Sequence, residues 1–366
     1  MNIRPRLDSV DLLRGLVMVL MALDHVRGYF TDAHFSPTDL SRTNAALFFT
    51  RWITHFCAPV FFVLAGGGAY LSMTRGRARS ELGFYLFTRG LWLIVLELTV
   101  VSFAWTFNLD QGVYLQVIWA LGWSMVTLSG LIFLPRWATA VFSVALIVGH
   151  HLLDGLNLQD FRGPEGVLGW DGWLLSILHI SHGPVSYPLI PWIGVMALGY
   201  AGAPILLEDP QKRSQRLLGF GALLTVAFVI LRAANLYGDP APWSPQKSDL
   251  FTLLSFLNTT KYPPSLLYLL MTLGPALAAL ALFENRSGPV ARFLTTFGRV
   301  PLFFYLVHLY LIHTLALIAG YLSGEDYGYS LPMVYLVWIA VVLMLHPLCA
   351  WFAGLKTQPR QVLRYL

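Results

Sequence analysis

Charged residues are scarce in this sequence. Aspartate, glutamate, lysine and arginine make up 12% of its 366 residues and hydrophobic residues make up 56%, whereas soluble domains carry about 25% charged residues. So few charges do not cover the surface of a soluble globule of this size. The apolar and aromatic content, with a mean hydropathy of +0.62, also excludes a disordered chain. The composition therefore indicates an integral membrane protein.

Cysteine is almost absent. Cys57 and Cys349 are the only two in the sequence, which excludes a disulfide framework, and no Cys-x-x-Cys pair or Cys/His zinc spacing occurs. The formal net charge of +5 is compatible with nucleic-acid binding, but the positions of the positive charges explain it better. We expect no nucleic-acid partner and no metal cofactor.

Long apolar runs are abundant, and a helix needs about 20 such residues to cross a bilayer. Proline and Ser-Gly pairs lie between the runs, where helices end. No internal repeat is visible, so we expect one all-α polytopic domain over residues 1–366. The segment 154–185, with Trp170 and Trp173, is predicted to hold an interfacial helix. The ten predicted spans are 12–31, 46–72, 84–105, 113–134, 137–153, 186–206, 216–236, 264–284, 301–322 and 331–352.

The orientation follows from the cations in the loops, because cytoplasmic loops are rich in lysine and arginine. Seventeen of the 24 lysines and arginines fall on one side and seven on the other when both termini are placed in the cytoplasm. We therefore predict about ten spans, both termini cytoplasmic, in the plasma (inner) membrane.

Ionisable residues inside the spans are the candidate functional groups, because in a membrane they usually face a cavity or a partner. Asp24 and His25 lie in the outer half of span one, where a carboxylate beside an imidazole can orient a general base. Arg51 and His55 are spaced i,i+4 at the start of span two, on one helical face at the same depth. His34 lies in the loop between them.

Other polar residues allow structural readings as well. His150-His151 and His179-x-x-His182 resemble metal-binding pairs, but no carboxylate or cysteine has the matching spacing. His308, eight residues into span nine, is the best candidate for a polar contact inside the membrane. Glu97, deep in span three, is either functional or buried as the neutral acid.

The tract Ala65-Gly-Gly-Gly-Ala69 permits close approach of another helix or of an elongated ligand. It has neither P-loop lysine nor Rossmann spacing, so it is no nucleotide motif. The same glycines leave room for a homodimer interface.

Several tracts resemble the bacterial branch of the heparan-alpha-glucosaminide N-acetyltransferase catalytic-domain family. The first two tracts below are specific, and the last recurs in other membrane acyltransferases. They are Arg6 to Gly15 with Met21-Ala-Leu-Asp24-His25, Arg51 to Gly66 (RWITHFCAPVFFVLAG), Lys261-Tyr-Pro-Pro264-Ser-Leu, and Phe297-Gly-Arg299-Val-Pro301 to His308.

The resemblance implies a multispan enzyme that takes acetyl from cytosolic acetyl-CoA to a sugar amine on the opposite side. The histidine at the catalytic centre of this family corresponds here to His25 or to His34. The large luminal domain of the animal enzyme is missing, so heparan itself is not supported as the acceptor. A sugar or envelope glycan, beside membrane lipid, is the expected partner.

Acyl transfer needs a base for the acceptor's proton and donors for the developing oxyanion. His25, oriented by Asp24, would supply the base, and Arg51 or His55 the donors. Arg14, Arg89 and Arg299 would hold the phosphates of acetyl-CoA by charge-assisted hydrogen bonds, and His308 is grouped with these cofactor-binding residues. Direct transfer and a transient acetyl-histidine remain open.

Two other functions compete with acyl transfer. A proton-coupled transporter or lipid/glycan exporter would use a His/Asp/Glu path, although the paired interrupted spans of transporters are not evident. A scaffold protein would not need ionisable residues inside its spans.

Overall fold

The protein is all-helical where its structure is described. The computed structural model describes residues 7–74, 76–163, 165–324 and 327–356, and these contain no β-strand. Five of the cations counted for the orientation, Arg4, Arg6, Arg75, Arg360 and Arg364, lie outside the described residues.

Fifteen α-helices follow one another along the described residues. Glu97–Val101 is a π-helical turn between α4 and α5, and 3₁₀ turns occur at Thr54–Phe56, Leu109–Gln111, His150–Leu153, Leu158–Phe161 and Ala203–Leu207. The α-helices are α1 (Asp8–Phe30), α2 (Ala45–Ile53), α3 (Cys57–Thr74), α4 (Arg79–Leu96), α5 (Ser102–Thr106), α6 (Val117–Leu131), α7 (Arg136–Gly149), α8 (Trp170–Leu178), α9 (Leu189–Gly202), α10 (Pro210–Ala234), α11 (Asp249–Leu257), α12 (Leu266–Leu282), α13 (Pro289–Arg299), α14 (Pro301–Ser323) and α15 (Leu331–Leu355).

Seven helical segments within the described ranges are long and apolar enough to cross a membrane. Two shorter apolar helices, α6 and α12, fall on the predicted fourth and eighth spans. Helix α1 covers the predicted first span with 23 residues. The all-helical membrane fold is thereby confirmed, whereas the count of ten spans and the cytoplasmic termini stay predictions. The seven segments are Ala45–Thr74, Arg79–Thr106, Arg136–Leu153, Leu189–Leu207, Pro210–Ala234, Pro301–Ser323 and Leu331–Leu355.

The connection before α9 contains the helix expected there. Helix α8 spans Trp170–Leu178, and its Trp170 is exposed, which suits a helix that lies along an interface. The short helices α11 and α13 were not among the predicted spans, since each is only about half as long as a bilayer requires.

Helix α1 is the centre of the packing and contacts α3, α13, α14 and α15. Its crossing with α13 depends on glycine: a Cβ on Gly15 would lie 1.9 Å from Leu294 O, and a Cβ on Gly298 would lie 1.8 Å from Asp11 O. Because lipid is as apolar as the helix surfaces, close backbone packing of this kind holds membrane helices together.

The glycine tract of span two allows close helix packing, and its role towards an elongated ligand stays a prediction. A Cβ on Gly66 would lie 2.0 Å from Met196 O, so this glycine allows α3 to pack closely against α9. Gly68 has open space around its Cβ position and lines a cavity. Two residues apart on the helix, one glycine faces a neighbouring helix and the other faces empty space.

Candidate active site

A large cavity opens among the ends of α1, α4, α14 and α15. Its volume is about 970 Å³, and no carboxylate is among the residues that line it. We call it the arginine cavity because five cationic side chains lie in its wall: Arg14, Arg77, Arg89, Arg299 and Lys356.

Three residues that were predicted from the sequence to bind the phosphates of acetyl-CoA line the arginine cavity together. Arg14, Arg89 and Arg299 come from α1, α4 and α13 and line the same wall. Arg14 is held there by hydrogen bonds of its Nη1 to Asp11 Oδ1 and to Gly298 O, both at 3.2 Å. Sequence reasoning did not assign Arg77 and Lys356 to the site, although both were counted among the cytoplasmic cations.

A second cavity of about 540 Å³ lies further along α1. We call it the histidine cavity because His25 lines it. Its ionisable residues are Asp24, Arg27, Arg51 and Lys261, so cations outnumber carboxylates in its wall. Aromatic side chains complete it: Tyr29, Trp105, Tyr187, Tyr262 and Tyr305.

The two cavities meet at a shared wall. Phe61, Val117 and Tyr305 line both of them. Arg14 and His25 are eleven residues apart on α1, which corresponds to roughly 16 Å at the rise of an α-helix. The two cavities therefore adjoin, and a long, thin ligand could extend from the cations of the first towards the imidazole of the second.

His25 is hydrogen-bonded to His308, its partner from α14. His25 Nδ1 lies 2.7 Å from His308 Nε2, and His308 Nδ1 lies 2.9 Å from the carbonyl oxygen of Phe304. A carbonyl only accepts, so His308 Nδ1 carries a proton and its Nε2 accepts from His25 Nδ1–H. This assignment leaves a lone pair on His25 Nε2, the form that a general base requires.

His308 therefore does not occupy the place expected for it. It is fully buried and lines neither cavity, so the geometry gives it no contact with a cofactor in the arginine cavity. Its position instead fixes the ring and the proton of His25. The interhelical contact joins residues 283 apart in the sequence, which no local spacing indicates.

Asp24 does not orient His25 as expected. Its Oδ2 accepts a hydrogen bond from Arg51 Nη1, and its Oδ1 accepts one from Arg27 Nη2 at 3.0 Å. Consecutive residues of an α-helix project about 100° apart, so the carboxylate and the imidazole point in different directions. Asp24 neutralises two arginines, and Arg51, although it lines the cavity, is tied to α1.

His55 does not share the face of Arg51. The chain forms a 3₁₀ turn at Thr54–Phe56, which breaks the i,i+4 alignment, and His55 is buried outside both cavities. Pro59 lacks the N–H that would reach the carbonyl of His55 in a regular helix. That carbonyl instead accepts a hydrogen bond of 2.7 Å from the hydroxyl of Tyr268.

His34 lies exposed in the segment 31–44 and lines neither cavity. Of the two histidines that the sequence left as alternatives, only His25 faces a cavity. In the same segment the guanidinium of Arg42 lies over the ring of Phe35, 4.5 Å from its centroid.

Lys261 and Tyr262 are residues of the histidine cavity that sequence reasoning did not assign to the site, although they belong to one of the tracts that carried the resemblance. They follow α11 in a turn that closes the cavity. Burial by itself raises the pKa of Tyr262, but the charges of Lys261 and Arg51 outweigh it, so the pKa of this phenol lies below its usual value. The cavity is thus electropositive.

Glu97, which the sequence left as either functional or structural, has a structural partner. Glu97 is fully buried, and its Oε2 accepts a hydrogen bond of 2.9 Å from the backbone N–H of Trp119. That N–H belongs to the first turn of α6 and has no partner within the helix. Glu97 therefore caps α6 from the π-helical turn of its own span.

The outer histidines contact a carboxylate that their spacing did not indicate. Asp154 accepts hydrogen bonds from His151 Nδ1 at 2.6 Å and from His179 Nε2 at 3.1 Å. The ligand atoms of His150, His151 and Asp154 lie within 4.8 Å of one another. However, His151 Nε2 accepts the N–H of Leu266, which leaves His151 no lone pair for a metal. The cluster ties the end of α7 to α8 and α12.

The described residues form a helical membrane fold with two adjoining cavities, one lined by cations and the other by an oriented imidazole, and this arrangement suits an integral membrane enzyme. The chain belongs to the heparan-alpha-glucosaminide N-acetyltransferase catalytic family, whose model matches residues 6–236, more than half of the sequence. The resemblance seen in the sequence is thereby confirmed, and the protein is a membrane acetyltransferase. No curated protein matches the chain.

The matched region contains His25, Arg14 and Arg89, but it ends before α11. Lys261, Arg299 and His308 thus lie in the part of the chain beyond the match.

Proposed function

We propose that the protein transfers the acetyl group of acetyl-CoA, bound in the arginine cavity, to an amino or hydroxyl group of a sugar or envelope glycan in the histidine cavity. The observation that carries the proposal is the arrangement of the two cavities, with cations in one, the His25 base in the other, and three side chains that line both. With the cation-rich face in the cytoplasm of a plasma (inner) membrane, donor and acceptor would bind from opposite sides.

The arginine cavity suits the phosphates of the donor. Phosphates do not enter hydrocarbon, and arginine binds them by bidentate, charge-assisted hydrogen bonds. Five cations and no carboxylate in the wall create the potential that an anionic nucleotide requires. The narrow pantetheine arm would then extend beside Gly68, whose missing side chain leaves open space, towards the shared wall.

The histidine cavity supplies the base. In the proposed step His25 Nε2 removes the proton from the acceptor's N–H or O–H, and the acceptor atom forms a bond to the acetyl carbon. The carbon–sulfur bond breaks, and the thiolate of CoA takes the proton from His25. His308 keeps the Nδ1 proton of His25 in place throughout, which is the part that an orienting partner plays in general-base catalysis.

An acetyl-histidine intermediate would use the same lone pair. Incubation with ¹⁴C-acetyl-CoA without acceptor, acid quenching and peptide mass spectrometry decide between the routes. Acetyl on the peptide of His25 supports the intermediate, and its absence together with normal turnover supports direct transfer.

The proposal is tested with purified protein in liposomes. Labelled acetyl-CoA is supplied on one side and a panel of amino sugars and neutral sugars on the other, with His25→Ala as the inactive control. Acetylated sugar on the far side is the expected result. No transfer to any sugar, combined with no thermal stabilisation by CoA, would overturn the proposal. Sugar flux that does not need acetyl-CoA would favour the transporter instead.

A further inference from the structure

Neither of the two donors expected for the oxyanion from the sequence is available. Arg51 is held by Asp24, and His55 lies outside both cavities. We infer that Tyr305 and Trp105 form the oxyanion hole, with Tyr305 Oη–H and Trp105 Nε1–H donating to the acetyl carbonyl oxygen at the shared wall. This inference rests on the proposed acetyl transfer and names two further catalytic residues for it.

Tyr305 stands where the thioester must pass. Its side chain lines both cavities, and it is only 4% exposed. Its hydroxyl is buried and has no hydrogen-bond partner among the described residues. Tyr305 precedes His308 by three residues on α14, so the same turn of one helix positions this hydroxyl and the partner of the base.

Trp105 stands on the other side of the base. Its indole lies edge-on to the His25 ring, with the ring centroids 5.0 Å apart, and lines the histidine cavity. Its Nε1 is buried, again without a hydrogen-bond partner in the described part of the chain. Tyr29 fixes this residue by a hydrogen bond of 2.9 Å from its hydroxyl to Trp105 O and by a stacked ring contact.

Trp105 and Tyr305 lie beside one another and interact. The Trp105 N–H acts on the Tyr305 hydroxyl as a weak hydrogen-bond donor, but neither group has a partner at normal hydrogen-bond distance and angle among the described residues. Buried donors nearly always have a partner, because an unpaired one loses its hydration without compensation. Two such donors beside one imidazole, facing a cavity, indicate that a ligand oxygen is their partner.

The movement of electrons in the reaction explains why Tyr305 and Trp105 would act as oxyanion donors. When the acceptor attacks the acetyl carbon, the electron pair of the carbonyl moves onto its oxygen. The Tyr305 and Trp105 donors stabilise this negative charge in a water-poor site, where fixed donors act most strongly. The pair then re-forms the carbonyl as the thiolate of CoA leaves, and His25 returns the acceptor's proton to that thiolate.

Removal of each donor is the first test. Tyr305→Phe keeps the ring and deletes only the hydroxyl. Trp105→Phe keeps an aromatic side chain but removes the indole N–H together with one ring. We expect each to lower kcat by about 10²- to 10³-fold, the usual effect of losing one oxyanion donor, while KM for acetyl-CoA stays unchanged. Tyr310→Phe is the matched control: it removes a hydroxyl of the same helix that donates to Val100 O outside both cavities, and its kcat should stay unchanged.

The ¹³C resonance of a bound ketone provides a second test. It would not change if Tyr305 and Trp105 had only a structural role. The probe is an acetyl-CoA analogue in which a methylene replaces the thioester sulfur, with ¹³C at the carbonyl. Donation by Tyr305 and Trp105 polarises this carbonyl, so its ¹³C resonance should lie downfield in the wild type and move upfield in either variant, but not in Tyr310→Phe.

If Tyr305 and Trp105 form the oxyanion hole, each variant must show both the lower kcat and the upfield shift of the carbonyl resonance. Unchanged kcat in either variant, or a lower kcat with an unchanged carbonyl resonance, would overturn it. Failure of the wild type itself to transfer acetyl from acetyl-CoA would instead overturn the proposed function, so the two failures are distinguishable.

Discussion

The chemistry of the site depends on which nitrogen of His25 carries its proton. That choice is made by a chain of two contacts, from Phe304 O to His308 and from His308 to His25. Each contact is short and shielded from water, where hydrogen bonds are electrostatically stronger than in water. The adjacent Asp24 has a different task, because it compensates two arginines that would otherwise repel one another in the wall of the cavity.

Loss of the base should abolish most of the activity. His25→Ala is expected to lower kcat for acetyl transfer by about 10²- to 10⁴-fold, the range that a general base contributes. His34→Ala should leave the rate unchanged, because His34 lies outside both cavities. Labelled acetyl transfer in proteoliposomes measures both. A fully active His25→Ala, or an inactive but folded His34→Ala, would contradict this placement of the base.

His308 should act through His25 alone. His308→Leu removes the acceptor for His25 Nδ1–H and is expected to lower kcat at least about tenfold, with KM for acetyl-CoA unchanged. His308→Gln offers an amide oxygen to the same N–H, so it should recover part of the rate and restore the shape of the pH–rate profile. A raised KM in His308→Leu would show that His308 contacts the donor after all.

At the scale of whole helices, glycines allow the backbones of neighbouring helices to approach closely. Gly15 and Gly298 bring α1 against α13, and Gly66 brings α3 against α9. The first of these crossings positions α1, which carries Arg14 and His25, one from each cavity. The spacing between the two cavities is therefore set by one rigid helix.

The same substitution at two glycines of α3 should have different effects on stability. Gly66→Ala places a Cβ 2.0 Å from Met196 O, so the helices must separate; overpacking of this kind costs about 1–3 kcal/mol. Gly68→Ala meets nothing within 4 Å and should leave stability unchanged. Thermal unfolding in detergent measures both. Equal melting temperatures for Gly66→Ala and the wild type would show that α3 and α9 do not pack this closely.

In the molecule as a whole, one cavity contains the cations proposed to bind the donor, and the other contains the base proposed to carry out the reaction. The cations that would bind an anionic donor lie at one end, and the base with its donors lies at the other. Phe61, Val117 and Tyr305 line both cavities. An enzyme built in this way can use a donor from one side of a membrane and an acceptor from the other without moving either across.

The arginine cavity should determine donor affinity without affecting the chemical step. Arg89→Ala and Arg299→Ala are each expected to raise KM for acetyl-CoA about tenfold, as the loss of one charged hydrogen bond predicts, and to leave kcat unchanged. Arg286→Ala, an exposed cation outside this cavity, is the control. Thermal stabilisation by CoA should decrease in the same two variants. An unchanged KM in both would place the donor elsewhere.

The membrane class, the all-helical fold and the family could be predicted from the sequence alone. Each depends on local properties: the length of apolar runs, the scarcity of charge and tracts such as Arg51 to Gly66. The sequence also identified His25, Arg14, Arg89 and Arg299 as polar residues in or beside apolar runs, where they need a partner or a cavity.

Which of these residues contact one another could be seen only in the tertiary structure. Hydropathy repeats along one helix do not specify which face another helix covers, so the contact of His25 with His308 was not predictable. The 3₁₀ turn at Thr54–Phe56 leaves His55 buried outside the cavity that Arg51 lines, and packing places Tyr305 and Trp105 beside the base. The physical reason is that contacts between helices depend on backbone approach and side-chain fit across the bundle, neither of which is a property of a single segment.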